Sequence, residues 1–399
     1  MSDPTLKKPL RNLVISLLLL FIFLSGGAAG YFLRGNYSHT DSAEFNQLLK
    51  PFYQTWNVIH NQYLEQPVDD VKLMQGAIRG MMDSLGDPYT AYMDPDEYRE
   101  QNAPLQGEYT GVGAWVDASG DALIFLSAMP GSPAEEAGIQ PGDLVLEIDG
   151  QDMRTIEPEL VLKRIIGPAG TTVVILVQRQ GTAEPIRFEI ERALITVPSV
   201  ESEMLENQLG YVRLYTFSAN SNSEFRSAVE TLLEEGAQGL IVDLRGNSGG
   251  YVNAAVDITS AFLESGTVLI EEWGDGSREE YKVIGDPIAT EIPLVILVDG
   301  GSASASEIMA GALQDCGRAQ LVGTTTYGKG LIQNWIPLME DSGAIRVTIA
   351  RWLTPEEQKI QGNGLTPDIE VEFSEEDIKT LNDVQLKAAI NILLPEKLD

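Results

Sequence analysis

Apolar and polar positions change their spacing four times along the chain, and each regime predicts a different kind of structure. Leu13 to Leu33 carries no charge at all. From Asp41 to Arg99, Phe45, Leu48, Leu49, Phe52, Trp56 and Ile59 recur at three- and four-residue spacing, the mark of a helix with one buried face. A second helix is predicted over Val71–Leu85, stopped by Gly86-Asp87-Pro88. From Gly107 to Arg192 the apolar runs are short and β-rich: Ala122–Ala128, Leu144–Ile148 and Thr172–Val177. Gly131-Ser132-Pro133 opens a short helix over Ala134–Ala137 that Gly138 ends, and Pro141-Gly142-Asp143 and Asp149-Gly150 read as turns. From Gly210 to Glu372, strands at Gly210–Leu214, Leu240–Leu244, Leu294–Val298 and Gln320–Val322 alternate with helices at Ser223–Glu235, Ala254–Glu264 and Ser306–Asp315. This alternation predicts an α/β domain with a largely buried sheet. Asp383–Leu394 closes the pattern as an amphipathic helix.

The first regime predicts a membrane segment. Lys7, Lys8 and Arg11 precede it and Arg34 closes it. Its length matches the ~20 residues of a bilayer-spanning helix, and the basic flank predicts a cytoplasmic N-terminus. The rest of the chain would then lie on the extracytoplasmic side, periplasmic or extracellular, tethered to the inner membrane by a single pass. A cleaved signal peptide ending near Gly27-Ala28-Ala29-Gly30 is the rival reading, and the length of the run favours the anchor.

Charge and rare residues narrow the chemistry. The 399 residues carry a formal net charge of −32, which repels nucleic-acid phosphates and argues against that class of partner. Cys316 is the single cysteine, so no intrachain disulfide forms. His39 and His60 are the only histidines, both near the N-terminus. Chemistry in the body of the chain must therefore use carboxylates, Lys, Tyr or Ser.

Three segments stand out. In Val298-Asp299-Gly300-Gly301-Ser302-Ala303-Ser304-Ala305-Ser306-Glu307-Ile308 an apolar strand turns through glycines into a helix whose N-terminus favours developing negative charge. Three serines are available there, and Ser302 or Ser306 could simply cap the helix. Thr326-Tyr327-Gly328-Lys329-Gly330 sets a lysine between glycines but lacks the spacing of a phosphate-binding loop. Asp243-Leu244-Arg245-Gly246-Asn247-Ser248-Gly249-Gly250 runs from a buried strand into a glycine pair whose N–H groups could form an oxyanion hole.

In this order, with Thr110-Gly111-Val112-Gly113, Ala137-Gly138-Ile139 and Thr366-Pro367-Asp368, the segments resemble the carboxyl-terminal processing peptidases, or tail-specific proteases. The resemblance implies a multidomain α/β chain: an anchor at 1–34, a helical region at 35–103, a PDZ domain at 104–192, a crotonase-like (ClpP/crotonase-type) serine peptidase domain at 193–372 and a C-terminal helical segment at 373–399. It makes Ser304 the nucleophile, Lys329 its general base and Gln333 the group that orients the lysine amine. The N–H groups of Gly250 and Ala305 would form the oxyanion hole, and Gly111, Val112 and Gly113 would hold a substrate's C-terminal carboxylate. No metal or organic cofactor is implied. Protein substrates, a homodimer through the terminal helices and an activating partner are the expected associations. Relatives often carry Arg where this chain has Ile166, which puts any coupling through that position in doubt. The alternatives are a non-catalytic binding protein of the same fold, which the joint presence of Ser304, Lys329 and Gln333 argues against, and a thioester enzyme, which the inserted PDZ module would serve poorly.

Overall fold

The computed structural model describes residues 43–394 other than Ser119, Asp121 and Leu381. The expected membrane helix lies outside the described residues, and among those no helix is long and apolar enough to cross a membrane. The chain divides into two compact units, the first running to Gly76. Helices α1 (Ala43–Leu48) and α2 (Lys50–Gln62) belong to the first, and α3 (Asp70–Asp83) begins in it. His60 is engaged there: its ring nitrogens lie 2.8 Å from Trp56 O and 2.6 Å from Asp70 Oδ1.

In the second unit, β1 (Ala91–Met93) precedes α4 (Pro95–Gln106). Asp94 caps this helix by accepting from the Glu97 N–H, while Glu97 accepts from the Asp94 N–H, a reciprocal box that fixes where the helix starts. Next come β2 (Glu108–Gly111), β3 (Ala114–Asp117), β4 (Ile124–Ala128), α5 (Pro133–Ala137), β5 (Leu144–Ile148), β6 (Gln151–Asp152), α6 (Pro158–Ile165), β7 (Thr172–Gln178), β8 (Ile186–Glu191) and β9 (Ala193–Thr196). The antiparallel sheet runs β3-β4-β5-β7-β8, with β6 on β5, and β2 pairs with β9 as a separate ribbon. Ser132 caps α5, and left-handed Gly138 (φ 86°) ends it, as its sequence predicts. Alternate residues of β7, Val173, Ile175 and Val177, are fully buried against Phe125, Val161 and Ile165.

The remainder contains β10 (Val200–Leu205), β11 (Leu209–Leu214), α7 (Ser221–Glu234), β12 (Gly239–Asp243), α8 (Val252–Thr259), β13 (Thr267–Trp273), β14 (Arg278–Lys282), β15 (Leu294–Val298), α9 (Ala305–Asp315), β16 (Gln320–Gly323), β17 (Leu331–Pro337), β18 (Ala344–Leu353), β19 (Ile369–Glu370), α10 (Glu375–Thr380) and α11 (Val384–Leu393). One sheet, ordered β10-β11-β12-β15-β16-β19, is parallel except at the β10 edge. Both its faces are covered. Leu240, Val242, Leu294, Ile296 and Val298 join the core with α7, α8 and α9, while Ile241, Val295 and Leu297 join the one with α11. Burial on two faces is why these strands read as unbroken apolar runs.

Two expectations are corrected. Helix α8 stops at Thr259 instead of Glu264: the Thr259 and Ser260 hydroxyls donate to the Ala255 and Val256 carbonyls, and the next two N–H groups bond three residues back. The region expected to be helical carries strand β1, which joins an antiparallel sheet of β1-β18-β13-β14 with β17 also on β18. The plain strand–helix alternation did not reveal this sheet.

Candidate active site

Ser304 sits where β15 turns into α9, with φ 54° and ψ −112°. This positive φ is strained for a residue with a Cβ and recurs at functional turns. The neighbouring serines are committed elsewhere. Ser302 Oγ donates to Leu244 O at 2.8 Å, and Ser306 Oγ donates to Asn247 O at 2.8 Å. Both are fully buried, whereas Ser304 is partly exposed and lines a cavity of about 350 Å³.

The same cavity is lined by Gly249, Gly250, Lys329, Gln333, Trp335 and Arg346. A Cβ on Gly249 would lie 2.9 Å from Ser304 Cβ and one on Gly250 2.3 Å from Phe217 O, so only glycine allows this loop to approach the Ser304 turn. The bridge to Phe217 uses the Gly249 carbonyl and the Tyr251 N–H, which leaves the Gly250 N–H outside it. The Ala305 N–H is the first of α9 and has no acceptor within the helix.

Glu307, which sequence reasoning did not single out, ties the Ser304 turn to the Lys329 loop. It is fully buried. Its Oε2 accepts from the Ser304 and Lys329 N–H groups, each at 2.9 Å. Its Oε1 accepts from the Gly328 N–H at 2.7 Å and the Thr326 hydroxyl at 2.5 Å. The available signal was the Ser-x-x-Glu spacing, which reads equally well as a local helix cap.

Half-buried Lys329 is held from several sides. Trp352 Nε1 donates to its carbonyl at 3.0 Å, and its Nζ lies 5.7 Å from the centre of the Tyr89 ring. Arg346 donates from Nε to Tyr89 O at 2.9 Å and stacks its guanidinium over Trp335. Burial lowers the Lys329 pKa and the Arg346 charge lowers it further, while Glu307 pulls it back up; the net result lies below the ordinary lysine value.

Not every expected contact forms. No hydrogen bond joins Ser304 Oγ to Lys329 Nζ, and none joins Gln333 to the lysine: Gln333 Nε2 is buried without a partner. Gly111 ends β2, and Val112 and Gly113 link it to β3. The Val112 and Gly113 carbonyls accept from Ala134, Met129 and Ser132. The Tyr109 ring covers Gly111, where an added Cβ would lie 2.7 Å from its Cε2; burial pushes the phenol's pKa up and the backbone of Gly113 and Ala114 pulls it part of the way back. The outer edge of β3 has no strand partner among the described residues.

The glycine loop hangs from a buried ion network. Arg245 bonds Asp243, on which it also closes a 2.6 Å ion pair, and reaches Asp383 at 2.9 Å beside α11. Arg245→Ala strands Asp243 uncompensated in the core, an expected loss of roughly 3–5 kcal/mol in denaturant unfolding. Arg245→Lys should recover little, because an ammonium cannot fork to two carboxylates. Burial acts to raise the Asp383 carboxyl, but Arg245 outweighs it and holds the group below its ordinary range. Its contribution is therefore present above the unfolded pKa of about 3.9 and fades as pH falls through the lower folded value.

Residues 208–371 match the model of peptidase family S41, 124–179 match a PDZ domain, and 33–97 match the "activating protease CtpB N-terminal domain". The carboxyl-terminal-processing protease of Synechocystis is 38% identical over 350 residues, covering 86% of this chain and 82% of that protein. The carboxy-terminal processing protease CtpA of Bacillus subtilis is 33% identical over 371 residues, covering 91% and 78%. A solved structure of an S41 protease from Bacteroides fragilis shares the fold at 17% identity and a TM-score of 0.53, covering 85% of this chain and 96% of that one.

Proposed function

The chain belongs to peptidase family S41 as a carboxyl-terminal processing serine protease, and we propose that Ser304 and Lys329 carry its chemistry as a dyad. The observation that carries this reading is that Ser304, alone among three neighbouring serines, opens onto the cavity that Lys329 also lines. Ser304 Oγ attacks the scissile carbonyl and passes its proton to Lys329 Nζ. The Gly250 and Ala305 N–H groups receive the oxyanion. Lys329 then returns the proton to the departing amine, leaving an acyl-enzyme, and water activated by the neutral lysine releases the acid. Cleavage of an unfolded protein by the full chain, compared with Ser304→Ala and Lys329→Ala, tests the assignment. Cleavage surviving in Ser304→Ala would sink it. The Ser304–Lys329 contact closes in the substrate complex on this reading, as catalytic hydrogen bonds commonly tighten there, and Gln333 Nε2 is the unpaired donor left to hold substrate or base.

Tail recognition falls to the module at 104–192. A substrate end would add to the free edge of β3, its carboxylate reaching the N–H groups of the Gly111–Gly113 turn. The Tyr109 phenol competes for those groups. Amidating a substrate's C-terminus should raise KM several-fold with kcat nearly unchanged, and Tyr109→Phe should lower KM for the free acid but not for the amide. Equal KM values for acid and amide would rule this mode out.

The Leu13–Leu33 segment is proposed as a single-pass inner-membrane anchor, with the peptidase on the extracytoplasmic side. Alkaline extraction of membranes should leave the intact chain in the pellet; release of a shortened chain would favour a cleaved signal.

A further inference from the structure

Beside the dyad's cavity lies a second, of about 510 Å³, and the two meet at Val252, Ile332 and Gln333. Their charged linings are opposite in sign. Lys329 and Arg346 line the first; Asp257 and Glu271 line the second, which no Lys or Arg lines. Glu271 is 4% exposed, and among the described residues its side chain hydrogen-bonds only the Tyr281 hydroxyl, which donates to Oε2 at 2.8 Å. Arg278 and Arg351 both pair with the adjacent Glu272, whose side chain leaves the strand on the other face. Burial pushes the Asp257 carboxyl up against the pull of the Arg226 charge, so it too lacks a full counter-charge. Two further wall atoms, Asn222 Oδ1 and Gln333 Nε2, are buried without partners.

A carboxylate buried this deeply is costly without a cation. The cavity supplies room for a long stem, and a terminal cation there would meet Asp257, Glu271 and Asn222 Oδ1 together. Building on the dyad reading above, we propose that this cavity is a substrate subsite that takes a lysine or arginine side chain close to the scissile bond. The wall it shares with the Ser304 cavity would make it a determinant of which bond is cut, separate from recognition of the substrate's tail.

The test is cleavage by the full chain of a peptide set in which Lys, norleucine or Glu is placed in turn at each position around one scissile bond. At one position the lysine peptide should exceed the norleucine peptide by about tenfold in kcat/KM, since a site built around buried polar groups discriminates against a group that leaves them unpaired. Asp257→Asn combined with Glu271→Gln should bring that ratio towards one. Should the double variant fail to fold, Asp257→Lys, at the more accessible carboxylate, should turn the preference to the glutamate peptide. A wild type indifferent to charge at every position, or a lysine preference that persists in these variants, overturns the subsite. The norleucine peptide keeps the two readings apart. Its cleavage by the wild type and loss in Ser304→Ala leave the dyad standing whatever the subsite does, whereas cleavage surviving in Ser304→Ala removes the dyad.

Discussion

Ser304→Ala should lower kcat/KM for protein substrates by roughly 10³–10⁶-fold while leaving the folded chain and its substrate binding in place, the pattern expected when a nucleophile is lost from a preorganised site. The substitution removes one oxygen from a partly exposed position; it costs the Ser304 side-chain half of the capping box with Glu307 but leaves the Ser302 and Ser306 hydroxyl bonds and the Ser304 N–H bond to the Glu307 carboxylate. Lys329→Ala should fall to a similar level, and Lys329→Arg should not rescue it, because a guanidinium stays protonated and cannot take the serine proton. The pH profile gives a second readout. An ordinary lysine loses its proton near pH 10.4; burial and the Arg346 charge lower the Lys329 value. On the proposed dyad, activity needs the neutral amine, so kcat/KM should rise with pH along a limb that lies below the ordinary lysine range. Arg346→Gln removes one lowering influence and should move that limb to higher pH. A limb that stays put in Arg346→Gln would mean that another group titrates there.

Glu307→Gln should lower kcat by about 10²–10³-fold, the scale set by an ångström of misplacement between reacting groups. The carboxylate accepts on both oxygens, from the Ser304 and Lys329 N–H groups on one and the Gly328 N–H and Thr326 hydroxyl on the other. A carboxamide offers one oxygen and two N–H donors, so whichever way it turns, one set of donors meets another donor. The Ser304 turn and the Lys329 loop then separate. The pH profile distinguishes this from plain loss of structure. Glu307 raises the Lys329 pKa, so its neutralisation should shift the limb to lower pH, opposite to Arg346→Gln. Glu307→Asp keeps the charge but shortens the reach, so it should leave the limb near its wild-type position without restoring kcat. A variant with reduced kcat and an unmoved limb in Glu307→Gln would reduce Glu307 to a folding element.

Much of this architecture is legible in local pattern. The strand Leu294–Val298 declares itself because five consecutive apolar residues suit a strand covered on both faces. The helix Pro133–Ala137 is bounded by its own cap and its own glycine. The glycines around Lys329 mark a close approach, and the structure supplies what approaches: a Cβ on Gly330 would lie 2.6 Å from Gln361 N and one on Gly328 2.9 Å from Gly364 N. The three segments that meet at the site were recognisable because each carries its chemistry within a few residues.

Other features had no local sign. Strand Arg278–Lys282 is mostly charged and exposed, and it is a strand only because Thr267–Trp273 lies beside it. Ala91–Met93 is three residues long and becomes a strand by pairing with Ala344–Arg346, far along the chain. Glu307 reads as an ordinary first-turn acid, and nothing within four residues shows that it will be fully buried beneath a loop arriving from 326–329. The acidic cavity is of the same kind, since Asp257 and Glu271 stand on different elements, α8 and β13, and line one cavity only in the folded chain. The sequence by itself determined what depends on backbone propensity, capping and the period of burial, and it placed Ser304, Lys329 and the glycine turns on their elements. Tertiary structure alone decided which polar side chains lose their water and which meet across long separations, because desolvation and pairing are properties of the assembled space, not of neighbours along the chain.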